Sequence, residues 1–448
     1  MKTFPQIALS LFALVVALPA HAVTVTEVKT PKGIHAYFAE DHASQVISFS
    51  FSFQGGTALD PVDKQGLSQI GSSLFNEGAG DLDAFAYQSA MEDRAISIGM
   101  SAGRDSISGS ITTTSPNLTE AVKLARLALI QPRFDPEAIE RMRREILVGI
   151  TARQEVPGRL ASRKLFTELF GGHAYAREEE GVADNVKSIT RADIQNWAKT
   201  RLTRDRLLIG VSGDISAADL APVLDTLFAD LPATGAGPAT LPPAKVSTVG
   251  KTSRIFRDLT QTTILIGGPG IARNDPDWYA AVVADYILGA GSFSSRLMNE
   301  VREKRGLAYG VSSGLAPYDA GAIITISAGT RADQAEQSLK VIRDEVGKMR
   351  TPGVTQAEID GAKQYLTGAW PLRFTTTGSV AGLLVQIQHD HLGLDYLDKR
   401  NKFIEAVTLA DVQRVSKRLY NPETLTVVMV GPEAAAVPAK APARAEKK

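Results

Sequence analysis

From Val46 to Phe53 the chain alternates without a break. Ile47, Phe49, Phe51 and Phe53 fall on one side and Val46, Ser48, Ser50 and Ser52 on the other. A period of two with aromatic residues on one side predicts a strand packed on one face. Val25 to Val28 and Gly33 to Phe38 flank the turn Thr30-Pro31-Lys32-Gly33 and read as two further strands, and Ser106 to Thr114 as another. The period then widens. Leu67, Ile70 and Leu74 recur at helix spacing, and Ala121 to Leu129, Pro136 to Arg153 and Arg191 to Leu202 read as helices. Asp135 is placed to cap the second of these, with Pro136 at its first position. Arg206 to Val211 reads as a closing strand.

Pro232 to Val249 is rich in Gly, Pro and Ala, which is linker chemistry. After it the order begins again. Strands are predicted near Thr262 to Gly267, Ile323 to Ala328 and Leu425 to Val430, with helices over Trp278 to Leu288, Asp333 to Met349 and from Gln356. The repetition is also literal. Thr190, Asp193, Gln195 and Lys199 recur as Thr408, Asp411, Gln413 and Lys417, each 218 residues on, and each set precedes a strand ending in glycine. A repeat of this length predicts two tandem homologous α+β domains, each a mostly antiparallel sheet packed against helices. The expected boundaries are 23–235 and 251–433, with a linker at 236–250 and a tail at 434–448 rich in Ala, Pro and Lys.

Residues 1–22 stand apart. Lys2 precedes an apolar run from Ile7 to Leu18, and Ala20-His21-Ala22 supplies small residues around a cleavage point. This is the pattern of a secretory signal peptide, because the run is well short of the ~20 residues of a spanning helix. The remaining chain is expected to be soluble outside the cytoplasm. Lys plus Arg and Asp plus Glu each number 49, which argues against a basic nucleic-acid binder and against a self-repelling disordered chain. The absence of cysteine excludes disulfides, thiolate metal sites and a cysteine nucleophile.

Several segments resemble the M16 (insulinase, or pitrilysin) metallopeptidase family, in its branch with two domains per chain and bacterial periplasmic members. They are Gly55-Gly56-Thr57 through Asp60 with Gly66-Leu67, Pro132-Arg-Phe-Asp-Pro, Gly172-His173-Ala-Tyr175, and Ser294-Ser-Arg-Leu with Val301-Arg302-Glu-Lys-Arg-Gly306-Leu307-Ala308-Tyr309. The resemblance implies an inverted zinc motif, H-x-x-E-H, directly after Gly66-Leu67. Its two His would share a helix face and its Glu would polarise water. Here Gln69 and Ser73 stand at the His positions and Ser72 at the Glu position. The further Glu ligand, about 76 residues on, falls at Gly149. All four positions have lost their chemistry. Glu77 and Glu145, each four residues from a lost ligand, do not replace an imidazole, so no metal site and no catalytic residue is expected in this chain.

The histidines add little. His35 and His42 lie near the first strands, and His173 sits where a structural hydrogen bond is expected. His389 and His391 form a His-x-His pair that is either a metal site on a strand or an exposed pair in a loop, and helical residues before it favour the loop. There is no phosphate loop, and Gly267-Gly-Pro-Gly lacks dinucleotide spacing.

What the resemblance retains lies in the second half. In the family an Arg and a Tyr seven residues beyond it grip the substrate backbone opposite the zinc; here they are Arg302 and Tyr309. Arg offers a planar fork of donors and Tyr a hydroxyl for a carbonyl or an oxyanion. Gly306 is placed to end the helix carrying Arg302 and turn the chain toward Tyr309. Taken alone, the two residues read as a surface charge and a core aromatic. The resemblance implies a non-catalytic, substrate-binding subunit of a heteromeric periplasmic zinc peptidase. A homologous partner with an intact H-x-x-E-H motif would supply the zinc. The alternative is a standalone peptide-binding or chaperone-like scaffold.

Overall fold

A computed structural model describes residues 23–433; the expected signal peptide and tail lie outside the described residues. Eleven strands form two mixed sheets. β1 (Thr26–Lys29), β2 (His35–Glu40), β3 (Val46–Gln54), β4 (Ser97–Ala102), β5 (Ser106–Thr114) and β6 (Leu207–Gly213) assemble in the order β1-β2-β6-β3-β5-β4. β7 (Thr252–Phe256), β8 (Gln261–Pro269), β9 (Ala308–Ala316), β10 (Ile323–Arg331) and β11 (Thr426–Gly431) assemble as β7-β11-β8-β10-β9. Only β2 with β6 and β7 with β11 run parallel; the remaining neighbours are antiparallel.

The helices of the first half are α1 (Leu67–Ser73), α2 (Ala84–Glu92), α3 (Leu118–Ile130), α4 (Pro136–Arg153), α5 (Pro157–Phe170), α6 (Ala183–Ser188), α7 (Arg191–Arg201) and α8 (Ala217–Phe228). Those of the second are α9 (Trp278–Asp285), α10 (Ala335–Arg350), α11 (Gln356–Gly368), α12 (Thr377–His389), α13 (Tyr396–Glu405) and α14 (Leu409–Leu419). The sequence repeat has a physical basis in the caps of α7 and α14. Thr190 and Asp193 form a capping box at one, Thr408 and Asp411 the same box at the other, so in each the threonine hydroxyl accepts from the third helical N–H while the aspartate accepts from the cap N–H. The helix expected over Trp278 to Leu288 is α-helical only to Asp285 and continues as a π-helical turn over Tyr286–Ala290.

β3 departs from the one-sided strand that its alternation suggests. Ile47, Phe49, Phe51 and Phe53 line the first-half core, as their spacing requires, but Ser48 and Ser52 on the other face are also buried. What covers them comes from the second half: α12 lies across β2, β3 and β6. Ser48 and Thr377 share a hydroxyl hydrogen bond of 2.8 Å, and Gln388 donates to the Ile209 carbonyl of β6 at 2.7 Å. Small serines on that face leave room for a helix. Gly210 goes further, because a Cβ there would lie 2.1 Å from the Ala381 carbonyl oxygen.

The exchange is reciprocal. α5, from the first half, lies across β8 and β11 of the second sheet. Leu160, Leu165 and Leu169 are buried there with Val428, Val430 and Ile323, while Val380, Leu384 and Ile387 of α12 are buried with Ala39 on the first sheet. Full burial of such side chains is worth about 1.5–3 kcal/mol each. The segment joining the halves is docked as well, with the Ala244 and Ser247 N–H groups donating to Ala320 and Leu169 carbonyls.

A polar knot closes the junction. The Tyr175 hydroxyl donates to Asp105 at 2.5 Å and accepts from the Ala320 N–H at 2.8 Å, and Asp105 also accepts from the Asp319 N–H. Arg104 donates to the Tyr175 carbonyl, pairs with Glu179 and lies 4.4 Å from the Phe166 ring centre. His389 is therefore no exposed loop residue. It ends α12 between Asp319 and Asp390, at 3.2 and 3.1 Å, and these two carboxylates push its imidazole up to about 10. His391 follows beyond the helix with a φ of 54°, so the two rings do not share a strand face.

Two outcomes test this junction. Gly210→Ala drives a methyl into the α12 backbone and is expected to cost about 1–3 kcal/mol in urea unfolding. Gly99→Ala, on the first-sheet edge strand with nothing within 4 Å of the new carbon, should be near neutral. For His389 the partnered value lies above the free-chain value of about 6.5. Its charge thus favours folding fully below pH ~6.5 and loses that effect as pH rises through about 10. His389→Gln should destabilise at pH 6, and its gap from the parent should close toward pH 10; a constant gap would assign His389 to packing alone.

Candidate functional site

The segment that the resemblance places at the zinc motif is firmly held. α1 begins at Gly66, and the buried Asp60 carboxylate accepts from the Gly66 and Ser68 N–H groups at 3.2 and 3.0 Å and from the Ser68 hydroxyl at 2.5 Å. Trp197 of α7 donates its indole N–H to that same hydroxyl at 3.1 Å. Burial nonetheless raises the Asp60 pKa above the ordinary carboxylate value. The helix is held, but its chemistry has turned inward. The Ser72 and Ser73 hydroxyls donate to the Gln69 carbonyl at 3.1 and 2.8 Å. Gly149 sits on α4, which packs against α1, and presents no side chain.

This donor set does not fit zinc: a carboxamide, two alcohols bonded to their own helix and a glycine offer no imidazole and no carboxylate. The two glutamates nearby do not repair it. Glu77 is ion-paired with Arg141, and Glu145 is exposed on α4. Among the described residues no group of three or more His, Asp and Glu side chains is placed to hold a metal ion. His173 has a structural task, its Nδ1 accepting from the Tyr175 N–H at 3.2 Å and its Nε2 donating to the Pro242 carbonyl at 3.0 Å. His42 lies between Glu40 and Asp214, which raise its pKa, and His35 lies 3.4 Å from Glu27.

Arg302 and Tyr309, seven positions apart, meet in space. Arg302 belongs to a second π-helical segment, Met298–Glu303. The Gly306 N–H closes on the Arg302 carbonyl at 2.8 Å and the Leu307 N–H on the Val301 carbonyl at 2.9 Å, while Gly306 takes a φ of 60° that suits a residue without a Cβ. β9 starts two residues later with a bulge. Ala308 pairs with Thr330 and Gly310 with Gly329, which leaves Tyr309 without a partner. A bulge re-aims the side chain it carries. Leu307 and Ala308 anchor the turn in the core, whereas Tyr309 is 86% exposed, which removes the reading of a core aromatic.

The Arg302 guanidinium carbon lies 5.4 Å from the Tyr309 ring centre and 4.9 Å from that of Phe293, itself 64% exposed. Lys304 and Arg305, the other bases of the turn, are both taken by Glu300. Arg302 instead has Glu303 at 3.6 Å and two aromatic faces, a cation–π arrangement worth about 0.5–1 kcal/mol at an exposed site. A guanidinium, a phenol and a phenyl ring thus stand together at the surface on an outer strand of the second sheet, β9. Phe293 was not singled out in the sequence, although it directly precedes Ser294-Ser-Arg-Leu.

The comparisons with known proteins agree with this architecture. The family model described as "Peptidase M16 inactive domain" matches residues 188–366. The chain is 24% identical over 376 residues to the non-peptidase homolog YmxG of Helicobacter pylori, covering 82% of this chain and 85% of that one. It is 30% identical over 292 residues to an uncharacterized zinc protease of Streptomyces coelicolor, covering 63% of this chain and 62% of the other. Among solved structures, a peptidase M16 inactive domain from Pseudomonas fluorescens superposes with a TM-score of 0.87 at 28% identity, over 93% of this chain and all (100%) of that one. A protease from Helicobacter pylori shares the fold with a TM-score of 0.83 at 18% identity, over 92% and 100%. With two mixed sheets and exchanged helices, the chain has the fold of the peptidase M16 inactive domain, and the family model of that domain matches part of its length, residues 188–366.

Proposed function

We propose that this protein is a non-catalytic, substrate-binding subunit of a heteromeric periplasmic zinc peptidase. The observation that carries the reading is the exposed pairing of Arg302 with Tyr309, in a chain whose zinc-motif positions hold Gln69, Ser72, Ser73 and Gly149. The partner is a homologous chain with an intact H-x-x-E-H motif; it supplies the zinc and the base. The present chain supplies grip. The Arg302 fork donates to peptide carbonyls, and the Tyr309 hydroxyl donates to a carbonyl or to the oxyanion that develops from it. The relative named a non-peptidase homolog supports the non-catalytic half of this reading. The signal-peptide pattern of residues 1–22 in the sequence supports the periplasmic half. Among the described residues no helix is long and apolar enough to cross a membrane.

Purified alone, the protein is expected to hold no stoichiometric zinc and to cleave no peptide; one equivalent of zinc surviving dialysis would overturn the ligand assignment. Rebuilding the motif is the converse test. Gln69→His, Ser72→Glu, Ser73→His and Gly149→Glu together should create a zinc site. The glutamate has room, because a Cβ at Gly149 meets only the Arg153 guanidinium, 3.7 Å away. A folded quadruple variant without zinc affinity would count against the alignment of α1 with the family motif.

In the reconstituted pair, Tyr309→Phe and Arg302→Ala should lower kcat/KM without weakening assembly, by up to about 100- to 1,000-fold if the contact forms only in the transition state. Tyr309→Phe is the cleaner change, since it keeps the ring beside Arg302. Normal assembly with full rates at low and saturating substrate would make the pair structural.

A further inference from the structure

Next to Arg302 and Tyr309 lies a cleft that neither the family motif nor the proposed grip uses. It opens between the π-helical turn Tyr286–Ala290 and α11, with a volume of about 460 Å³. Its walls are the Tyr286 and Tyr365 rings, tilted with centres 5.1 Å apart, together with Ile287 and Ala362. Ser294 and Gln364 bring polar groups to its rim. Ser294 directly follows Phe293, the residue under the Arg302 guanidinium, so the cleft and the Arg302 cluster share one loop. The turn at Tyr286–Ala290 also packs against β9, the strand that carries Tyr309.

Three features define what the cleft would take. Its one carboxylate is spent: both Glu358 oxygens accept from Arg296, and Oε2 also accepts from the Thr355 N–H and hydroxyl. The remaining lining is aromatic, aliphatic and amide, which favours a neutral, flat group over a charged one. Tyr365 packs on a largely buried Tyr286 yet is itself left 58% exposed, so the ring pair offers apolar surface to the cleft. Finally, both π-helical segments among the described residues border this corner, one forming the cleft wall and the other holding Arg302. Such segments concentrate at functional sites because they displace side chains from regular helical positions.

We infer that this cleft is a specificity subsite, receiving an aromatic side chain of the same extended peptide whose backbone Arg302 and Tyr309 hold. The inference rests on the peptide-binding reading above and adds what that reading leaves open, the side chain selected. Withdrawing an aromatic ring from water against the packed Tyr286–Tyr365 pair should favour it over alanine by about 10- to 100-fold in affinity.

The test uses the full chain without its partner and fluorescein-labelled peptides of one uncharged sequence, in which Phe, Leu, Ala or Asp is scanned through successive positions. Anisotropy titrations should show a position at which Phe binds at least ten-fold more tightly than Ala and Asp binds no better than Ala. Gly361→Leu fills the cleft, since a Cβ there meets nothing within 4 Å and a helical glycine gains helix propensity on replacement. It should erase the Phe preference while leaving the Ala peptide unchanged, and Tyr365→Ala should weaken that preference as an independent variant. Arg302→Ala should weaken every peptide alike. If peptides bind and Arg302→Ala weakens them, but no position prefers Phe or Gly361→Leu leaves the preference intact, the subsite is wrong and the peptide-binding reading stands. If no peptide binds the parent chain, both fail together.

Discussion

The structure depends on one packing exchange: each half lends a helix to the other half's sheet. α12 covers the face of the first sheet opposite its core, and α5 does the same for the second. The two faces differ in kind: the first admits its helix over small serines and Gly210, whereas the second is apolar and is shielded from water by its helix. Ile209 and Val211 of β6 belong to the first-half core, yet their strand also receives α12 at Gly210, and Val428 and Val430 of β11 are buried under α5. The junction therefore consists of two apolar helix–sheet contacts, with the Tyr175–Asp105–Ala320 and His389–Asp319 contacts setting their register. That rigidity matters for function. β9 is an edge strand of a sheet fixed on both faces, so the bulge at Tyr309 and the turn at Gly306 are held by a core that does not yield.

Much of this was legible in the sequence, and the reason is local. The alternation of β3, the caps of α7 and α14, and the 218-residue repeat are written in neighbouring residues, so strand and helix positions follow from periodicity and capping; Asp135 stands at the N-cap position of α4 as expected, but its carboxylate accepts from Arg133 and makes no cap hydrogen bond. What could not be read there is non-local. Ser48 and Ser52 look like a solvent face until α12, more than 300 positions away, is laid across them. One partner of His389, Asp319, lies seventy positions away and makes an ion pair out of an apparent loop histidine. Tyr309 is a large aromatic in an apolar stretch, Gly306 to Val311, and only the bulge against Gly329 and Thr330 turns it outward. Phe293 and the cleft behind it depend on π-helical turns, for which sequence period gives no sign.

Loss and retention in the two halves follow different rules. α1 has kept its Asp60–Ser68–Trp197 support although Gln69, Ser72 and Ser73 bind nothing but their own helix, because the same contacts also hold the first-half core. No such structural debt explains Arg302 and Tyr309. Arg302 is half-buried and Tyr309 exposed, Tyr309 adds no core packing, and an unpartnered phenol beside a guanidinium and an exposed Phe293 offers the fold little stability. A surface of this composition is suited to gripping an extended peptide: donors for carbonyls, rings for side chains, and a sheet edge alongside.

The most direct measurement is affinity isolation of the tagged chain from its native host, followed by zinc analysis and peptide cleavage before and after the subunits are separated. The account predicts a 1:1 complex with a homologous chain bearing H-x-x-E-H, zinc confined to that partner, and cleavage that disappears on separation and returns on mixing. Isolation of this chain without such a partner, or peptidase activity and zinc that stay with this chain alone, would contradict it.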